Sequence, residues 1–289
     1  MTMDDKNLSL QLAGAFQAAC LAELEALKPG NVHIFADGHG MRVQDFMRSA
    51  EAAAIFIAKP ELTVGQRISF AIHASCKEVG CNTNLGIVLL CAPLIHARLH
   101  GSKPTLRENL QQVLGHLTVA DAELVYAAIA RAAPGGLGES ARHDVHAKPT
   151  VTLLEAMREA ATRDRIAAQY AHGFADIFDF GLAQYQRALQ RWQRPAWATT
   201  LLYLSFMSRF VDSHIVRKYG EEAAQKVKTE AGIHEQALLA LENPKSYQRR
   251  LLQFDADLKL RGLNPGTSAD LTVATLLTGA LQAPTFANS

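Results

Sequence analysis

The sequence predicts an all-α protein, one multi-helix bundle over residues 1–289. Three observations carry that expectation. Apolar residues recur at the three-and-four spacing of amphipathic helices along nearly the whole chain, and no convincing stretch alternates with the period of a strand. Composition shifts nowhere in a way that marks a linker, and no repeat of fixed period is present. Finally, the stretch from Gly80 to Leu94 turns abruptly from polar to apolar. Ile87 to Leu90 with Leu94 and Ile95 cover most of a helix circumference there, so a helix near 84–99 belongs in the middle of the bundle.

The elements follow in order. Over 7–27, Leu8, Leu12, Phe16, Ala19 and Leu27 keep helical spacing, and Pro29 and Gly30 must break the helix. A loop rich in Gly, His and Asp runs to Met41. Helices over 45–58 and 62–77 come next, the first stopped at Lys59-Pro60. After the central helix, helices are expected over 105–117 and 119–132, the second with Thr118 as N-cap. Pro134 to Pro149 shows no apolar periodicity and forms the longest irregular section. From Val151 the pattern gives helices over 151–162, 164–189, 196–210, 221–241, 245–261 and 269–281. Thr267 and Asp270 have the spacing of a capping box for the last of these.

Composition narrows the function classes. An apolar fraction of 48% builds a substantial core, and 20% charged residues is ordinary for a soluble protein. A net charge of +1 provides no field to recruit nucleic acid or an anionic membrane, although a local phosphate pocket needs none. Cys20, Cys76, Cys81 and Cys91 form no C-x-x-C pair, so reduced thiols are expected and neither zinc nor disulfides. The acidic, polar start MTMDDKNLSL is not a signal peptide, and no apolar run is long enough for a bilayer. A cytoplasmic protein is expected, with homo-oligomerisation left open.

Polar side chains gather where helices start or stop. Glu23 lies one turn before Lys28, and Asp45 follows the first loop. Asn82, Thr83 and Asn84 precede Gly86 in the first turn of the central helix, whose free N–H groups and partial positive charge favour an anion. Gly135 and Gly136 lead into His143-Asp144-Val145-His146, and Asp212-Ser213-His214 leads into Arg217-Lys218. Asn264-Pro265-Gly266-Thr267-Ser268-Ala269-Asp270 opens the last helix. Each has a structural alternative as a cap, a turn or a dipole-matched pair. Glu23 and Asp45 stand out because carboxylates beside apolar helical positions need partners. His96 and His100 sit four apart but lack a following glutamate, and are read as structural. Tyr126, Trp192 and Trp197 are read as packing residues. Nothing resembles a Ser/His/Asp arrangement, a P-loop or a dinucleotide fingerprint.

Taken together, Lys28-Pro29-Gly30-Asn31-Val32-His33, Gln44-Asp45-Phe46, Gly80 to Gly86 and Asn264 to Leu271 resemble the triphosphoribosyl-dephospho-CoA synthases (ATP:dephospho-CoA triphosphoribosyl transferases). Gly135-Gly136-Leu137-Gly138 and Asp212-Ser213-His214 with Arg217-Lys218 are weaker matches, and all of them follow the family's order along nearly the whole chain. The resemblance implies an all-α fold and a Mg²⁺-dependent reaction on ATP. In it the 2′-hydroxyl of dephospho-CoA displaces adenine from ribose C1′, making a prosthetic-group precursor. Under that resemblance Lys28, Gly30, Asn31, His33, Asn82, Thr83, Asn84 and Gly86 contact the nucleotides, as do Gly135, Gly136, His214, Arg217, Lys218, Asn264, Gly266 and Thr267. Glu23, Asp45, Asp144, Asp212 and Asp270 are the candidate catalytic carboxylates, with Glu23, Asp45 and Asp212 as Mg²⁺ ligands. Which of them binds metal and which serves as base stays open.

The chain departs from the family pattern. The better-known synthases have Leu and Asp where this chain has Asn31 and His33, and His and Lys where it has Asn84 and Leu85. Their Gly-Ala-Arg-Gly-Glu-Ala segment is only loosely matched by Pro134 to Glu139. This variant pattern resembles a side branch found in archaea and in bacteria with tetrahydromethanopterin-linked one-carbon metabolism, which leaves the acceptor open: dephospho-CoA, or alternatively a different phosphorylated molecule. Two further classes compete with the transferase. His143-Asp144 with Asp212 could belong to a metal-dependent phosphohydrolase, which would release phosphate and not adenine. A non-enzymatic cofactor-binding protein would bind ligand without turnover.

Overall fold

Thirteen α-helices, one π-helical turn and one 3-10 turn make up the regular structure of the computed structural model, which describes residues 3–134, 144–283 and 286. Among the described residues there is no β-strand, only the isolated bridges His33–Ala36 and Gly38–Met41 in the first loop. Gly135, Gly136 and His143 lie outside the described residues.

The first half comprises α1 (Met3–Glu25), α2 (Val43–Ile57), α3 (Val64–Val79), α4 (Leu85–His100), α5 (Leu106–Gly115) and α6 (Val119–Ala132). Their starts are written in local chemistry. Thr63, Thr105 and Thr118 each accept the N–H three residues on, and Gln66, Glu108 and Asp121 return the bond to the cap. These are reciprocal capping boxes, as is Thr152 with Glu155 ahead of α7 (Leu153–Ala160).

Helix α4 is the buried centre, with twelve of its residues from Leu85 to Ala97 inside the core. Pro93 in its interior frees the carbonyl of Leu89 from the helix ladder. The Tyr170 hydroxyl donates to that carbonyl at 2.6 Å, so the break costs no unpaired backbone group. His96 and His100 point at protein partners. Arg67 Nε donates to His96 Nδ1 at 3.2 Å, and His100 Nε2 lies 2.9 Å from the Pro60 carbonyl.

The helix expected over 164–189 is three pieces: α8 (Arg165–Ala171), the π turn Asp176–Gly181 and α9 (Leu182–Trp192). Gly173 and Phe174 both take positive φ and end α8. Apolar periodicity runs on through that break, which is why pattern alone missed it. Next come α10 (Pro195–Arg209), α11 (Ser213–Leu239), α12 (Gln248–Leu260) and α13 (Gly266–Leu281). Within α11, Gly220 is non-helical at φ 84°, so a first turn over 213–219 stands apart from the part expected over 221–241.

Two apolar clusters share this framework. One joins α1 to α8; the other is built on α9 to α12. Helices α10 and α13 contribute to both, through Leu202, Phe206, Leu271 and Leu277 to the first and Leu201, Tyr203 and Ala269 to the second. The beginning of α13 therefore lies where the two halves meet. No single described helix is long and apolar enough to cross a membrane.

Candidate active site

A cavity of about 690 Å³ opens at that junction. Its polar side is made by helix beginnings. Gly86 comes from the first turn of α4, Gly266 and Asp270 from that of α13, and His214, Arg217 and Lys218 from the start of α11. Asn82 ties off α4, its Oδ1 accepting the Leu85 N–H at 3.1 Å. Thr83 lines the cavity while donating to Ser49 Oγ at 2.6 Å. Asn84 faces away, its amide donating to Ser75 Oγ at 2.9 Å between α2 and α3.

Asp212 joins two of these helices. Its Oδ1 accepts from the N–H groups of His214 (3.0 Å) and Ile215 (3.3 Å), capping α11. Its Oδ2 accepts from the N–H (2.9 Å) and hydroxyl (2.8 Å) of Ser268, pinning the first turn of α13. Thr267 completes the joint by accepting from His214 N–H at 3.2 Å. The capping box expected from Thr267 and Asp270 is not formed, because α13 begins at Gly266 behind Pro265 and both residues are already helical.

Freed from capping, Asp270 turns its carboxyl onto Gly86, where a β-carbon would lie 2.0 Å from Oδ2. Only glycine admits that approach. Asp270 makes no hydrogen bond among the described residues, and its acidity is strongly perturbed. Burial first, then the charges of Asp212 and Glu23, raise its pKa well above the carboxylate range, with Arg217 pulling the other way.

The Lys28–His33 loop packs behind this wall. Lys28 is fully buried, donating to Glu23 at very short range and to Asn31 Oδ1 at 3.0 Å. Burial pushes the Glu23 pKa up and the Lys28 pKa down. Asn31 donates to Asn264 Oδ1 at 2.7 Å, and Glu23, Asn31 and Asn264 reach the cavity. Gly30, at φ 80°, gives its N–H to Asp255 Oδ1 at 2.9 Å and touches Leu263 and Pro265. His33 is wholly buried with Nε2 3.4 Å from the same Asp255 oxygen, and Lys259 closes the cluster at 3.0 Å from Asp255. Lys28, Gly30 and His33 therefore shape the wall from behind instead of facing a ligand. Asp255 and Lys259, carried on α12, escaped the sequence reading because nothing local marks a contact over 225 residues of chain.

Arg217 donates to Asp164 Oδ2 at 2.6 Å and keeps a buried Nε without a hydrogen bond. His214 also keeps a buried, unpartnered Nε2. Its pKa falls to about 4, mainly through burial and then the charges of Arg217 and Lys218, so the ring is neutral at pH 7. Arg163 and Asp164 line the cavity and went unread, although Asp164 is the N-cap of α8. Asp144 lies on the rim, accepting from His146 N–H at 2.8 Å.

The same geometry bears on Mg²⁺. Among the described residues no cluster of three or more His, Cys, Asp or Glu could hold a metal. Asp212 gives both oxygens to four donors, and Glu23 is engaged by Lys28. Asp45 accepts the Arg42 N–H at 2.8 Å at the start of α2, away from the cavity wall. Asp270 alone of the five combines open lone pairs with a surplus of negative charge. That donor set suits a Mg²⁺ carried in on phosphates, which asks the protein for one or two carboxylates, and does not suit a resident metal centre.

Opposite the polar side, α6, α7 and α8 present an apolar wall that includes Ile129, Leu153, Met157 and Ile166. The cavity thus has helix beginnings and side chains of both charge signs on one side and an apolar wall on the other.

The family model for CitG, ATP:dephospho-CoA triphosphoribosyl transferase, matches residues 9–288. No protein of curated function matches. The crystal structure of a chain from Archaeoglobus fulgidus, provisionally assigned as a triphosphoribosyl-dephospho-CoA synthase, superimposes with a TM-score of 0.63 at 22% identity. That likeness covers 80% of this chain and 96% of the other, and at this identity speaks for the fold. With the family model spanning almost all of the sequence, the chain belongs to the ATP:dephospho-CoA triphosphoribosyl transferase family.

Proposed function

We propose that this cavity holds the triphosphate of ATP against the first turns of α4 and α13, with Arg217 and Lys218, and that the chain transfers the triphosphoribosyl group to the 2′-hydroxyl of 3′-dephospho-CoA. The observation that carries the reading is the meeting of those two helix N-termini with cationic side chains around one unpartnered carboxylate, Asp270. Each helix end offers free N–H groups and about half a positive charge to an anion. Asn31 and Asn264, cross-linked at 2.7 Å, would position the ribose or phosphates beside them.

In the reaction the acceptor hydroxyl forms the new bond to C1′ as the bond from C1′ to the adenine nitrogen breaks. The developing positive charge on the ribose is favoured by a nearby carboxylate, as in glycoside hydrolysis. Asp270 is placed beside that developing charge, and the proton given up by the hydroxyl ends on the departing adenine nitrogen, which balances the exchange. Bound with the nucleotide, Mg²⁺ would be held by Asp270 together with phosphate oxygens and would neutralise the triphosphate. His214, neutral and with an open Nε2, offers one further hydrogen bond to a phosphate.

The acceptor is dephospho-CoA in this reading, with a related phosphorylated molecule of one-carbon metabolism as the variant. Of the four departures from the family pattern, His33 and Asn84 face away from the cavity, whereas Asn31 and Leu85 line it, the latter without the family's lysine cation, so the variant acceptor stays beside dephospho-CoA. The commitment of Asp212 to four donors weighs against a phosphohydrolase. Incubation of the purified chain with ATP, Mg²⁺ and dephospho-CoA tests the proposal. Free adenine that depends on all three is expected. Phosphate release, or nucleotide binding without adenine, would overturn it.

A further inference from the structure

Tyr126, on α6, does not behave as a packing residue. It is 5% exposed and lines the cavity, yet its hydroxyl has no hydrogen-bond partner among the described residues. A buried phenol ordinarily finds one, and leaving it unpaired costs roughly 1–3 kcal/mol. Its neighbours on α6 and α7 along the cavity are apolar. Ile129 and Ala132 follow it on the same face of α6, and Ala156, Met157 and Ala160 come from α7. The alanines leave room beside the phenol, and Asp144, also on the cavity lining, is the charged side chain that acts on it. Such a slot suits a flat, uncharged ring with one hydrogen-bonding edge group.

We propose that the slot between α6 and α7 is the nucleobase subsite of this cavity and that the Tyr126 hydroxyl reads an edge of the adenine ring, making Tyr126 a specificity-determining residue. This rests on the reading above, in which both substrates carry adenine. The same chemistry can therefore come from the departing base of ATP or from the base of the acceptor. Burial and the neighbouring Asp144 charge raise the phenol's pKa, so it meets the ring as a hydroxyl.

The experiment compares wild type, Tyr126→Phe and Ala156→Leu for thermal stability, for KM toward ATP and dephospho-CoA, and for binding of inorganic tripolyphosphate with Mg²⁺. Because the hydroxyl bonds nothing in the protein, Tyr126→Phe is expected to melt at or above the wild-type temperature. It is expected to raise the KM of one substrate about tenfold, near the value of one buried hydrogen bond. Which KM moves names the source of the base. Tripolyphosphate, which engages only the polar side, is expected to bind all three proteins alike. Wild-type KM for both substrates in active Tyr126→Phe, or an equal loss of tripolyphosphate binding, overturns the subsite. If Tyr126→Phe does not fold, Ala156→Leu decides, because filling the slot must weaken a nucleotide while sparing tripolyphosphate. A wild-type chain that binds ATP without releasing adenine defeats the transfer reaction but not the subsite, which ATP binding to the variants then tests.

Discussion

Gly86→Ala probes the contact on which the proposed chemistry depends. The added methyl would lie 2.0 Å from Asp270 Oδ2, 2.4 Å from its Cγ and 2.7 Å from Ile166 Cδ1. Ordinary contact begins at 3.4 Å, so the carboxyl has to withdraw by about 1.4 Å. Ala recovers up to about 1 kcal/mol of helix propensity, while overpacking costs roughly 1–3 kcal/mol, so the fold survives at a net cost of about 0–3 kcal/mol. The chemistry does not tolerate the shift so easily. Displacement of about 1 Å at a reacting group costs on the order of 10²-fold in rate. The assay is steady-state adenine release beside thermal unfolding of the same preparation. A variant that melts close to wild type and turns over about 10²-fold more slowly is expected. One that keeps kcat within about threefold of wild type would show that Asp270 does not act at the reacting atoms.

Three other perturbations read separate parts of the site. Asp270→Asn removes a carboxylate whose folded pKa is raised, so the folded wild type loses stability as pH rises above about 4, where the unfolded chain has already given up the proton; the variant should melt higher at pH 7, lose that advantage below about pH 4, and release adenine at least about 10²-fold more slowly. His214→Gln tests the opposite sign. The unfolded chain takes up this proton near 6.5 and the folded chain only near 4, so wild-type stability should fall as pH drops through that window, and difference melts against the variant should show a shallower fall. Asp212→Ala strips four donors of their acceptor at the joint of α11 and α13 and should cost about 3 kcal/mol by denaturant titration, because one cap and two buried donors are lost together.

Much of the fold was legible because it is written locally. The central helix was expected over 84–99 and is Leu85–His100, since an all-round apolar segment has nowhere else to go. Thr118 caps α6 as expected, for the reason that cap and N3 partner are neighbours in sequence. The cavity was legible only in part. Asn82, Gly86, Arg217, Asn264 and Asp270 stand at helix beginnings, where punctuation betrays them, and all line the cavity. Lys28, His33 and Asn84 share the same motifs yet face protein, because a motif gives spacing and not side-chain direction. Asp255, Asp164 and the free hydroxyl of Tyr126 depend on partners far away in sequence or on the lack of one. No local pattern reports either.

The most direct test is a crystal structure of the chain with ATP and Mg²⁺ and no acceptor. The triphosphate is expected at the first turns of α4 and α13, within reach of Arg217 and Lys218, and Asp270 is the residue that would hold a Mg²⁺ bound with it. A triphosphate bound outside this cavity, or one seated inside it away from both helix ends and from Asp270, would contradict the proposed site.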